Sequence, residues 1–202
     1  MKESCCRLGQ ELVEGKNILY ESNNFFIVPS VGPMGIKGYV LLCSKQHYKG
    51  IGDIPKEHES ELEEVLNKAK RILHDIYNSE IIVFEHGPKM SCHRGGSCLD
   101  HAHLHLVPTS ADVMNFLSSI FKPEKIKNFD RLRQIYKKQQ SSYLFIQTQE
   151  NKRYVIEVDF PIPSQYLRQV IASEQNISDW DWRVNPDYET FEKTLKELKN
   201  KF

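Results

Sequence analysis

Residues 101–108 read HAHLHLVP. Side chains along a β-strand alternate between its faces with period two. As a strand closed by Pro108, this stretch sets His101, His103 and His105 on one face and Ala102, Leu104 and Leu106 on the other. The apolar face can pack on a helix or a second layer. The imidazole face must look into a cleft or meet polar partners, because burying three imidazoles without partners is costly.

Three readings of the histidine face compete. It can be a partly exposed strand whose polar positions hold histidine. It can be a metal site, since histidines two apart on a strand can hold Zn²⁺ with a third ligand from elsewhere. It can be a nucleophilic site. Neutral imidazole attacks phosphorus well, the phosphoramidate formed is labile, and neighbouring imidazoles can fix its tautomer and donate to phosphoryl oxygens. The residues just upstream favour the third reading. Arg94-Gly95-Gly96-Ser97-Cys98 closes a loop over 87–100, and consecutive glycines let backbone N–H groups approach an anion closely.

The rest of the chain reads as alternating strands and helices. The apolar runs ILY and FFIV, split by ESNN, predict a hairpin within 16–30. VGPMGIKG (31–38) is a loop, YVLLC (39–43) a buried strand, and IIVFEH (81–86) another. Between them, residues 56–78 place Leu62, Val65, Leu66, Ala69, Ile72, Leu73 and Ile76 at helical spacing, with an acidic start and a more basic second half. Beyond 109, helices are expected at 110–121 and 128–139. A hairpin follows from YLFIQT (143–148) and RYVIEVDF (153–160), then a helix at 164–175 with Ser164 as N-cap, and a last helix near 187–200.

Net charge points to no particular class of partner. The 202 residues carry 27 Lys+Arg and 27 Asp+Glu, so no global field argues for nucleic acid or an anionic membrane. The run 122–138 (KPEKIKNFDRLRQIYKK) is locally basic. It reads as a solvated helix face, or as a surface for polyphosphate or an RNA backbone. Five cysteines (Cys5, Cys6, Cys43, Cys92, Cys98), two of them adjacent, do not form a disulfide framework. The polar start is unlike a signal peptide, and no apolar run nears the roughly 20 residues of a membrane span. A reducing, cytoplasmic setting is expected.

HAHLHLV matches every position of the motif His-φ-His-φ-His-φ-φ, where φ is apolar, and so resembles the histidine triad (HIT) superfamily. GGSCLD resembles that family's glycine-containing phosphate loop, and residues 18–47 its N-terminal hairpin, glycine-rich loop and strand. The likeness covers about residues 5–108 in order. It implies an α+β fold and cleavage at the α-phosphate of a nucleotide conjugate through a nucleotidyl-histidine intermediate, with no cofactor. By position, His103 is the nucleophile, His101 and His105 flank it, and Gly96, Ser97 and Cys98 hold the non-bridging oxygens. Cys98 stands where many members have serine, Tyr39 where they often have histidine, and Ser30 at the acidic ribose-binding position. Glu85 stands at a polar asparagine near the end of the strand before the loop.

A second likeness lies in FPIPSQYLRQVIASEQNISDWDW (160–182), which is similar to the last region of CwfJ-type HIT proteins. It places Gln165 and Arg168 within reach of phosphate, with a structural ion pair as the other reading of Arg168. Trp180 and Trp182 read as packing anchors. Some HIT relatives hold a structural zinc. Here Cys5, Cys6, His47 and His101 reproduce that ligand set only in part, and Cys92, His93 and Cys98 form another loose cluster, so no bound metal is expected, with a degenerate zinc site as the alternative.

These readings converge on a HIT-like antiparallel sheet with packed helices over 1–109 and an integrated α/β extension over 110–202. The expected activity is nucleotidyl hydrolysis or transfer, on a nucleotide or nucleotide conjugate. The alternative is a CwfJ-like RNA-binding module with little catalysis. No membrane partner is expected. Homodimers are common in the family, although the extension could cover the usual interface.

Overall fold

The computed structural model describes residues 15–88, 101–138 and 140–202. The first hairpin forms as β1 (Tyr20–Glu21) and β2 (Phe25–Pro29), followed by β3 (Val40–Ser44). Helix α1 (Glu59–Tyr77) buries Leu62, Val65, Leu66, Ala69 and Leu73, the stripe expected from its spacing. It ends at Asn78, whose left-handed backbone (φ 48°) passes its N–H to the His74 carbonyl. β4 (Ile81–Gly87) and β5 (His103–Pro108) complete the first half.

The second half adds α2 (Val113–Ile120), β6 (Glu124–Ile126), α3 (Asp130–Lys138), β7 (Ser142–Gln147), β8 (Arg153–Val158), α4 (Tyr166–Glu174) and α5 (Tyr188–Leu198). All eight strands join one antiparallel sheet in the order β1-β2-β3-β5-β4-β7-β8-β6. The hairpin β7–β8 continues that sheet directly from β4, so the protein is an α+β molecule whose C-terminal part shares the sheet that carries the histidines.

Period-two alternation sorts the sheet into two faces. Phe25, Ile27, Val40, Leu42, Val83, Leu104, Leu106 and Phe145 pack with α1 and α3. Phe26, Val28, Leu41, Phe84, Val107, Leu144, Ile146 and Ile156 pack with Val113 and Leu117 of α2 and Leu167, Val170 and Ile171 of α4. The odd-numbered positions of β5 lie on this second face. Each fully buried leucine or isoleucine contributes about 1.5–3 kcal/mol of transfer free energy.

Several expectations are corrected in detail. The run 122–138 is not all helix and connection: Glu124–Ile126 forms the edge strand β6 against β8. Its charges are partly engaged. Arg131 pairs with Glu124 and Glu157, while Arg133 reaches Glu59, Asp130 and the Ile54 carbonyl. Ser164 does not cap α4. The N-cap is Gln165, held at φ 61° in the left-handed region, and His86 instead meets the helix's Leu167 N–H. Among the described residues no helix is long and apolar enough to cross a membrane.

Candidate active site

β5 supplies His103 and His105, and the bend before it supplies His101. Register sets their neighbours. On β3, Cys43 pairs with His103 and Leu41 with His105; on β4, Phe84 pairs with His105. Two residues further along each strand, the antiparallel count brings His86 level with His103. The histidine face therefore holds a fourth imidazole that the triad motif does not contain. Glu85, which stands at the position of a polar asparagine at the end of the strand before the loop, lies on the opposite face, because Phe84 and His86 take the histidine side of the pleat.

Hydrogen bonds define the ring of His103. Its Nδ1 lies 2.6 Å from the His101 carbonyl oxygen. A carbonyl only accepts, so Nδ1 carries the hydrogen, and in the neutral ring Nε2 presents a lone pair. That Nε2 is 3.1 Å from Nε2 of His105. The two rings meet edge-on with centroids 4.7 Å apart, and Phe84 stacks flat on His105 at 4.4 Å. On its far side, Nδ1 of His105 is 2.7 Å from the Tyr39 hydroxyl, which in turn lies 3.2 Å from Nη1 of Arg168. The ring of His101 points elsewhere: its Nε2 donates to the Ser44 carbonyl at 2.6 Å, and it lies edge-on to His47. His101 thus meets His103 through its backbone carbonyl.

All four imidazoles are 5% exposed or less. Burial pushes His103 down to about 4, against the upward pull of its bond to His101. It pushes His86 down to about 3, helped by positive charge on His103 and Arg168. Burial also lowers His105 well below the usual histidine range and lowers His101. At neutral pH these rings are uncharged, the state in which His103 offers a lone pair.

His86 stands out by what it lacks. Its Nε2 accepts the Leu167 N–H at 3.0 Å, so the hydrogen is on Nδ1. That Nδ1–H is buried and has no partner among the described residues. A buried donor left unmatched is costly.

The other expected site residues divide into three groups. Gly96, Ser97 and Cys98 lie outside the described residues, as do Cys5, Cys6, Cys92 and His93. Ser30 is buried at the end of β2, with its Oγ accepting the Gly32 N–H at 3.4 Å. Gln165 is fully buried and donates from Nε2 to Asp181 at 2.6 Å, while its Oε1 has no partner among the described residues. Arg168 is 1% exposed and sits behind His105, bonded to Tyr39, to the Gly32 carbonyl and to the Trp180 carbonyl. The close approach it requires uses Gly32, where a Cβ would stand 2.2 Å from that of Trp182. Trp180 packs against the second face of the sheet. Among the described residues no group of three His, Cys, Asp or Glu is arranged to hold a metal ion.

Sequence reasoning missed His86. The signal was present in IIVFEH, but Glu85 and His86 are equally polar in a run that reads as wholly buried. Only the β4–β5 register tells which one faces His103.

The family model described as scavenger mRNA decapping enzyme C-term binding matches residues 6–119. No curated protein matches the chain. Among solved structures, a hypothetical histidine triad nucleotide-binding protein from Sulfolobus tokodaii is 18% identical, with 66% of this chain and 91% of that one covered and a TM-score of 0.45. A HIT family protein from Bacillus anthracis is 19% identical over 58% of this chain and 95% of its own, with a TM-score of 0.44. A HIT family hydrolase from Clostridium thermocellum is 16% identical over 55% and 96%, with a TM-score of 0.41. The family match takes in more than half of the chain, including HAHLHLV and the strand bearing His86, and so this protein belongs to the family described as scavenger mRNA decapping enzyme C-term binding.

Proposed function

We propose that the protein is a nucleotide hydrolase or nucleotidyltransferase that cleaves at the α-phosphate of a nucleotide conjugate through a covalent nucleotidyl-His103. The observation that carries this reading is the pinned ring of His103, with Nδ1–H held by the His101 carbonyl and an Nε2 lone pair at the histidine cluster. In the first half-reaction Nε2 attacks the α-phosphorus, the bond to the leaving group breaks, and the leaving group departs with a proton. In the second, water or another acceptor attacks phosphorus, the P–N bond breaks, and the acceptor's proton returns to the site.

His86 supports the reading as a donor. Its Nδ1–H, without a partner among the described residues and on a residue level with His103, suits a non-bridging phosphoryl oxygen, where charge grows in the transition state. Gly96, Ser97 and Cys98 would supply further donors from the loop. Gln165 Oε1 offers an acceptor at the start of α4. The family's name refers to mRNA decapping, and a cap, as a nucleotide joined through a phosphate chain, is one substrate of the proposed class. The CwfJ-like reading of 160–182 belongs to the same proposal, with the extension shaping the leaving-group side.

The test is a screen of cap dinucleotides, dinucleoside polyphosphates and nucleoside phosphoramidates, with released mononucleotide read by mass. His103→Ala is expected to lose about 10³-fold or more of kcat, as removal of a nucleophile does. Full turnover by that variant would overturn the assignment.

A further inference from the structure

We propose that Tyr39 and Arg168 form a proton-holding pair behind His105: they keep its hydrogen on Nε2, beside Nε2 of His103, and Tyr39 resupplies that proton when the leaving group takes it. The catalytic half of this proposal rests on the function proposed above, while the hydrogen-bond assignment stands on geometry alone.

The two ends of the chain of contacts have fixed roles. Arg168 Nη1 can only donate, here to Tyr39 at 3.2 Å, and the His101 carbonyl can only accept, here from His103 Nδ1 at 2.6 Å. With its hydrogen on Nδ1, neutral His103 shows a lone pair to His105 Nε2 at 3.1 Å. Two lone pairs facing at that distance repel, so His105 carries its hydrogen on Nε2. Its Nδ1 must then accept, and the Tyr39 hydroxyl at 2.7 Å donates to it. Every member from Arg168 to His103 donates in the same direction, toward the His101 carbonyl. Phe84, stacked on His105, holds the ring in that plane.

Arg168 gives this arrangement its chemical use. Its acceptors are the Tyr39 hydroxyl and the Gly32 and Trp180 carbonyls, all uncharged. Asp181 lies within its field but is tied to the Gln165 side chain and the Arg183 N–H. The guanidinium, 3.2 Å from the Tyr39 hydroxyl, faces any negative charge that forms on that oxygen. The steps therefore balance. As the His103 Nε2–P bond forms and the bond to the leaving group breaks, the leaving atom takes the Nε2 proton of His105. The Tyr39 proton moves to His105 Nδ1, leaving a phenolate beside Arg168. When water attacks phosphorus and the P–N bond breaks, water's proton goes to His105 Nε2 and the Nδ1 proton returns to Tyr39. One water is consumed, and both products leave with their protons. Arg168 is a positioning residue in this scheme, and Tyr39 acts through His105. The extension beyond residue 160 thereby supplies a group on which the triad chemistry depends.

Two measurements test the pair. Nitrogen-15 NMR of histidine-labelled wild-type protein is expected to show His105 protonated at Nε2 and bare at Nδ1; hydrogen on Nδ1 would overturn the assignment. Tyr39→Phe removes one oxygen and is expected to slow release of a poor leaving group, an alcohol or amine, by about 10²-fold. Release of an acidic phenol from the same nucleotide, which needs no proton, is expected to fall less than about threefold. Equal losses on both substrates would reduce Tyr39 to a structural role and overturn the relay. A wild-type protein inactive on every conjugate would defeat the functional reading and the relay with it, while the NMR result still decides the hydrogen-bond direction.

Discussion

Glu85 and His86 are adjacent in sequence, both buried, and point to opposite faces of one strand. Glu85 is fully matched: Oε1 accepts the Ile51 N–H at 2.7 Å, Oε2 accepts the Tyr143 hydroxyl at 2.7 Å, and that hydroxyl accepts the Gly52 N–H at 2.9 Å. Among the described residues His86 is matched on one nitrogen only, and its ring lies on the face that carries His105, 6.4 Å between centroids. The two cases separate structure from chemistry. A polar group that fastens the fold closes its hydrogen bonds inside the protein, as Glu85 does by tying the Ile51–Asp53 turn to β4 and β7. A group that handles a substrate leaves a bond open until the substrate arrives.

The comparison breaks most visibly by substitution. His86→Ala is expected to lower kcat/KM by about 10²-fold on a nucleotide conjugate, the usual effect of deleting one transition-state donor, and also to cost about 1–3 kcal/mol of stability, because it strands the buried Leu167 N–H. Glu85→Ala is expected to cost stability alone. It strands the Ile51 N–H and the Tyr143 hydroxyl, costing about 1–3 kcal/mol of stability by urea unfolding, while the folded enzyme keeps its kcat. If Glu85→Ala lost activity as His86→Ala does at matched stability, the division between the two faces would fail.

The same contrast has a pH signature. His86 and His103 sit at about 3 and about 4 in the fold, below the ordinary 6.5. As pH falls below 6.5 the unfolded chain takes up protons before the native one, so stability drops toward pH 4, by up to about 1.4 kcal/mol per pH unit for each such histidine. Burial raises Glu85 to about 8 from the ordinary 4.5, even with two donors lowering it. Its sign is opposite: its contribution is complete below 4.5 and is lost as pH rises toward 8. Glu85→Gln, the smallest change of this set, is expected to flatten that alkaline limb and leave the acid limb as it was. Urea unfolding at half-unit steps from pH 4.5 to 8.5 checks both limbs.

Much of this was legible in the sequence, for a definable reason. Strong local periodicity showed β5, α1 and the hairpin β7–β8, and the triad motif marked His103 and His105 as neighbours on one face of β5. What escaped depends on long-range pairing. The placing of β7 beside β4 cannot be read from either strand alone. The choice between Glu85 and His86 needs the β4–β5 register, because both lie in a run buried on both faces. β6 hides in a charged stretch whose composition suits a helix. Gln165 takes a left-handed backbone with no glycine or asparagine to signal it, while His86, far off in sequence, meets the helix's Leu167 N–H.

The most direct measurement is the mass of the protein quenched in acid-free denaturant during turnover of a nucleotide conjugate, followed by peptide mapping. The expected result is a gain of one nucleoside monophosphate less water on the peptide bearing His103, lost on mild acid treatment and absent from His103→Ala. Turnover with no such adduct in a rapid-quench series, or an adduct on another residue, contradicts the assignment of His103 as the nucleophile.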